Sequence, residues 1–133
     1  ENVNEVIDAF GFDFVSQPQV KYSLHKQKKK EGMFETDQFT IRLSEFYSDG
    51  LLYSPEDFKN FETLSLVLID LDYEADPFTM DMHLWGKDLV KDETTPVEIS
   101  IDAENWKKAK LAVILIDEYG NEKKLVFDKK DFK

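Results

Sequence analysis

Two groups of charged side chains in this chain could do chemistry. The first is acidic. Asp70, Asp72, Glu74 and Asp76 alternate after one apolar run, and Asp117 and Glu118 follow another. Calcium favours clustered carboxylates on loops where several oxygens converge. The spacing is not that of an EF-hand, because the glycine at the sixth position and the glutamate at the twelfth are missing. Alternating acids point to one side of a strand, so a pair of them could also serve a glycosidase, which needs two carboxyls across a cleft. Acids at strand exits have a plainer use: they solubilise the ends and blunt aggregation-prone edges. That reading outweighs metal or catalysis here.

The second group is basic. Lys21, Lys26, Lys28, Lys29 and Lys30 fall within ten residues, with His25 among them. Lys26, Lys28, Lys29 and Lys30 could contact phosphates, and Tyr22 could stack on a base. The same lysines suit a solvated hairpin tip. The chain carries 28 acids against 17 bases, a net charge of −11, which repels phosphate backbones at long range. Nucleic-acid contact is therefore expected only as help to a stronger binding element.

No catalytic set stands out beside them. His25 and His83 are the two histidines and lie far apart in sequence. No Gly-x-Ser-x-Gly occurs, and without Cys there is neither disulfide nor thiolate metal site. Asp76-Pro77-Phe78 lacks the second proline and aromatic of an Asp-Pro-Pro-Tyr motif and reads as a strand stopped by proline. Trp85, Tyr73 and Tyr119 could form a carbohydrate platform if exposed in a row, the alternative being that they are buried. A small hydrolase would need a deep cleft with paired carboxylates.

The elements that must position these residues are mostly strands. Leu64 to Asp70 and Leu111 to Asp117 are near-twins, apolar on both faces and ended by Asp. They read as central strands of one core. Val20 to Leu24, Phe39 to Leu43 and Val97 to Ile101 alternate apolar and polar, as half-buried strands do. Phe78 to Trp85 alternates loosely. Tyr119-Gly120-Asn121 turns the chain into Lys123 to Phe127, a hairpin. Lys26 to Gly32 lacks an apolar period and reads as a hairpin loop. Asn4 to Phe10 carries a helical stripe stopped by Gly11, Phe12 to Val15 suits a short strand, and Ser54-Pro55-Glu56-Asp57 starts a short helix. The expected core is Phe39, Ile41, Leu66, Val67, Leu68, Ile69, Ile99, Trp106, Val113, Ile114 and Leu115.

About seven short strands with few helical turns predict a mainly β fold, an antiparallel sandwich, immunoglobulin-like in outline, with a short N-terminal helix. The 133 residues suit a single domain, 1–133. The 11 Phe, 5 Tyr and 2 Trp give it a bulky core. No apolar run approaches the roughly 20 residues of a membrane span. The absence of Cys fits the cytoplasm. The first residue is Glu1, so a piece of a longer protein is expected.

Three stretches taken together carry a resemblance. They are Phe61 to Glu74, with Val67-Leu68-Ile69-Asp70-Leu71-Asp72-Tyr73 at its heart; Ile101-Asp102; and Val113 to Glu122, with Leu115-Ile116-Asp117-Glu118-Tyr119-Gly120-Asn121-Glu122. They resemble the C-terminal non-catalytic β domain of bacterial site-specific DNA methyltransferases, the adenine-specific type III restriction-modification kind. The resemblance implies a domain with no cofactor and no catalytic residue of its own. Methyl transfer from S-adenosylmethionine would occur elsewhere in the parent protein. The expected function is that of an accessory domain supporting assembly or DNA positioning. Its expected partners are proteins or other domains of the parent, with DNA secondary and no membrane. The alternative is a free-standing ligand- or carbohydrate-binding module.

Overall fold

The computed structural model describes residues 17–75 and 77–133. The helix and strand expected over residues 4–15, and Asp76, lie outside the described residues. Seven strands follow among those described: β1 (Gln19–Glu31), β2 (Phe34–Tyr47), β3 (Leu64–Tyr73), β4 (Met82–Trp85), β5 (Val97–Asp102), β6 (Lys110–Asp117) and β7 (Glu122–Asp128). A single helical turn, α1 (Gly86–Leu89), follows β4. Among the described residues no helix is long and apolar enough to cross a membrane.

The strands form two antiparallel sheets, β1-β2-β5 and β4-β3-β6-β7. The molecule is thus the expected β-sandwich. Lettered A to G in chain order, the sheets read A-B-E and D-C-F-G. That is the immunoglobulin order with the fourth strand moved from the edge of the first sheet to the edge of the second.

Between the sheets lie Ile41, Leu43, Val67, Ile69, Ile99, Val113 and Leu115. Trp106, Phe39 and Phe132 close one side edge-to-face, with ring centroids 5.0 to 5.6 Å apart. Leu66 and Leu68 depart from expectation, being only half-buried. A sheet of a two-layer sandwich has one inner face, and β3 presents Val67 and Ile69 to it. Leu66 and Leu68 face outward beside Ile116 and Ile114 of β6.

Both apolar runs end on a buried carboxylate, Asp117 at the end of β6 and Asp70 three residues before the end of β3. Asp70 accepts from the backbone N–H groups of Asp72 (3.0 Å) and Thr79 (2.8 Å). Asp117 accepts from those of Tyr119 (3.0 Å) and Asn121 (2.8 Å), and from Ser48 Oγ (2.7 Å). Asp117 satisfies the turn that ends β6, whereas Asp70 holds the Asp72 and Thr79 amides where the β3–β6 register shifts, and β3 continues to Tyr73. The helix expected from Ser54 is a single 3-10 turn, Pro55–Asp57, held by Ser54 N–H donating to Asp57 Oδ2 at 2.7 Å.

Candidate interaction surface

The structure places the lysine cluster on a strand, correcting the expected loop. β1 runs unbroken through Lys26, Lys28, Lys29 and Lys30 to Glu31, and pairs with β2 down to Glu31–Phe34. The loop is only Gly32-Met33. Gly32 has φ +62° and Met33 does not share the left-handed conformation. Glycine at the first of two turn residues is the type II′ arrangement, which matches the twist of the flanking strands. Lys26 to Lys30 lacks an apolar period because these pairs are leaving the core. Pairing of β2 with β5 stops at Gln38–Asp102. The four residue pairs beyond, Lys28–Asp37 to Glu31–Phe34, form a two-stranded ribbon that reaches roughly 13 Å past β5.

Cross-strand carboxylates hold part of the positive charge. Lys28 Nζ lies 2.8 Å from Asp37 Oδ1. This hydrogen bond, then its Coulomb attraction, raises the Lys28 pKa, and the same hydrogen bond lowers that of Asp37. Lys29 Nζ lies 3.2 Å from both Asp102 Oδ2 and Glu31 Oε1. The bond to Asp102 raises the Lys29 pKa, while Asp102 is lowered first by its hydrogen bond from Gln38 and then by Lys29. Lys26 and Lys30 have no ion-pair partner within 4.0 Å among the described residues. Tyr22 does not join the ribbon. It lies six residues along β1 from Lys28, about 20 Å away, with its ring edge-on to Phe127 at 5.5 Å.

The ribbon ends in the two residues that sequence reasoning missed as a surface feature. Met33 is 98% exposed and Phe34 77% exposed. The signal was present: an apolar pair directly after a glycine that closes a polar run. A second apolar knuckle, Leu51-Leu52, projects from the loop after β2. It is anchored by Tyr53, which stacks on Tyr119 at 4.5 Å and meets Phe58 edge-on at 5.6 Å.

The other candidate chemistries separate in space. Asp70 pairs with Ala112 and Asp117 with Leu64, so these two acids stand at opposite ends of the β3–β6 pair. Six residues of strand, about 20 Å, lie between them, too far for a glycosidase pair. The sequence had allowed Asp117 to sit beside the Asp70 turn, but antiparallel register forbids it. Among the described residues no three His, Asp or Glu side chains converge on a metal position. Ser23 Oγ lies 2.8 Å from His25 Nε2, but among the described residues no carboxylate orients the other ring nitrogen. His83 lies in the other sheet, edge-on to Trp85. A cleft of about 560 Å³ holds Lys59, Lys87 and four carboxylates and no histidine or serine. Tyr73 is buried and pairs with Lys110, at the end of β3 opposite Trp85 and Tyr119, so the three rings form no row.

Comparison with known proteins gives no match to a protein-family model, to a curated protein or to a solved structure.

Proposed function

We propose that this domain works by contact and not by chemistry, as an accessory module that supports assembly of a larger protein. One observation carries the reading: a two-stranded ribbon extends beyond the sandwich and ends in exposed Met33 and Phe34. A domain alone in water gains nothing from displaying two large apolar side chains on a projecting turn. In a groove of a neighbouring domain or protein they would be buried anchors.

The parent in this proposal is a bacterial adenine-specific DNA methyltransferase of the type III restriction-modification kind. The motifs around Asp70 and Asp117 support it. Methyl transfer from S-adenosylmethionine belongs to another domain of that protein. DNA contact is secondary in this reading. Lys26 and Lys30 are the lysines free to make it, since Lys28 and Lys29 already hold carboxylates.

The reading frame that encodes this chain tests the parentage. An S-adenosylmethionine-dependent domain with an Asp-Pro-Pro-Tyr type motif is expected beside it, and a frame without one ends that part of the proposal. A salt titration tests the DNA part: absence of affinity even at low salt removes it.

A further inference from the structure

The sandwich has four strand edges, and they are unequal. β4 is four residues long, β5 six and β7 seven, whereas β1 is thirteen. Short edges offer few free backbone groups to a stranger. Among the described residues no strand pairs with the outer edge of β1.

The charge along β1 is one-sided. From Lys21 to Lys30 every charged residue is a lysine. The strand it already pairs with answers those charges. Glu45 stands opposite Lys21, Asp37 opposite Lys28 and Glu35 opposite Lys30. Two of these pairs close as ion pairs, at 3.5 and 2.8 Å. β2 thus shows what kind of neighbour the lysine stretch of β1 takes: an extended strand with acids opposite its lysines, as Glu35 and Asp37 are. The same lysines disfavour a second copy paired through the ribbon. Two-fold antiparallel pairing centred on Lys28 sets Lys26 opposite Lys30 and Lys28 opposite itself, and like charges directly opposite are destabilising.

We infer that the free edge of β1 binds an acidic extended segment of a protein partner by strand addition. The partner's backbone would continue the β1-β2-β5 sheet, and its carboxylates would meet Lys26 and Lys30, the two lysines of the cluster that close no ion pair among the described residues. Backbone hydrogen bonds give such pairing its affinity and side chains on alternate positions its selectivity. The inference rests on the reading of the domain as an interaction module and names the chemistry of one partner. It does not depend on Met33 or Phe34.

The test is a titration of the isotope-labelled chain, followed by amide chemical shifts and hydrogen exchange. The probe is a capped nine-residue peptide of alternating Glu and Val, with an alternating Lys and Val peptide and a single-stranded oligonucleotide alongside. The acidic peptide is expected to shift and protect amides between Ser23 and Lys30, and the basic peptide to leave them unchanged. The double variant Lys26→Glu/Lys30→Glu is expected to bind the acidic peptide about tenfold more weakly with an unchanged melting temperature. Unshifted β1 amides at millimolar acidic peptide would overturn the inference. So would equal binding of the basic peptide, tighter binding of the oligonucleotide, or self-association through β1 on concentration. Loss of assembly on changing Met33 and Phe34 would leave this test unaffected, so the two proposals fail separately.

Discussion

Lys28 and Asp37 face each other across the last stretch of the β1–β2 pair, with Nζ 2.8 Å from Oδ1, in the first of the residue pairs beyond the reach of β5. The ribbon therefore begins on an ion pair and ends on an apolar turn. Among the described residues no third strand braces it at that point, so cross-strand pairs and the turn itself hold its shape.

The Lys28–Asp37 pair makes ribbon order depend on pH in a definite sense. The Asp37 pKa is lowered by its hydrogen bond to Lys28, so its contribution is present above the unfolded carboxylate value and lost as pH falls through the folded one. The Lys28 pKa is raised by the same bond, so its contribution is full below the unfolded lysine value and lost as pH rises through the folded one. The pair is complete between about pH 4 and pH 10. Backbone amide shifts of Thr36 and Lys29 should hold steady across that window and move together below it. Independent movement of the two strands would contradict the pairing. Lys28 is exposed and Asp37 half-buried in a ribbon outside the core, so global stability should respond little.

Gly32 sets the turn that presents Met33 and Phe34. Its φ of +62° lies where a side chain is strained, although nothing occupies the space around it. Gly32→Ala should cost about 1 kcal/mol and broaden ribbon amide resonances, with the core unchanged. Gly86 is different. A methyl group there would fall inside contact distance of the Leu64 carbonyl oxygen. Gly86→Ala should cost about 1–3 kcal/mol in urea unfolding, with part of the loss relieved only if β3 and α1 separate.

Asp117 is the more demanding of the two buried carboxylates. Ser48 Oγ donates to it at 2.7 Å, and Ser48 Oγ and Thr63 Oγ1 lie 2.6 Å apart. Asp117→Ala would leave the N–H groups of Tyr119 and Asn121 and the Ser48 hydroxyl without their acceptor. The Ser48 hydroxyl is buried while the two N–H groups lie at a partly exposed turn, so a loss of about 1–3 kcal/mol follows. Asp117→Asn keeps one oxygen for the turn and should cost less. The measurement is the urea midpoint at constant slope.

Trp106 is fully buried, yet among the described residues its indole N–H has no hydrogen-bond partner. Trp106→Phe keeps a ring against Phe39 and Phe132 and removes the unsatisfied donor. It should cost under about 2 kcal/mol, against about 3–5 kcal/mol for Trp106→Ala. A Phe variant as unstable as the Ala variant would show that the N–H is satisfied in solution.

The sandwich was legible because its central strands announce themselves. Leu64 to Ile69 and Leu111 to Ile116 have no polar face, and Val97 to Ile101 alternates cleanly. The sequence also showed where the apolar runs stop, at Asp70 and Asp117, but neither why nor that β3 continues to Tyr73. The reason lies in hydrogen bonds to turn N–H groups such as that of Thr79, nine residues away. Leu66 and Leu68 were read as core because an apolar run does not say which face meets the second sheet. Lys26 to Gly32 reads as a loop because strand periodicity marks burial, and a ribbon outside the core buries little. The tip at Met33 and Phe34 was missed for the same reason, since sequence pattern alone does not tell an exposed apolar pair from a core one.

The central claim is that the ribbon tip is a contact surface of a larger assembly. The direct measurement is the solution mass of the full-length protein encoded with this chain, purified with its partners, against the Met33→Asp/Phe34→Asp double variant. Both side chains are exposed, so the domain's own melting temperature should not change. The account predicts that the variant assembly loses a component, or that its domains separate in limited proteolysis. An assembly of unchanged mass and unchanged proteolytic pattern would contradict it.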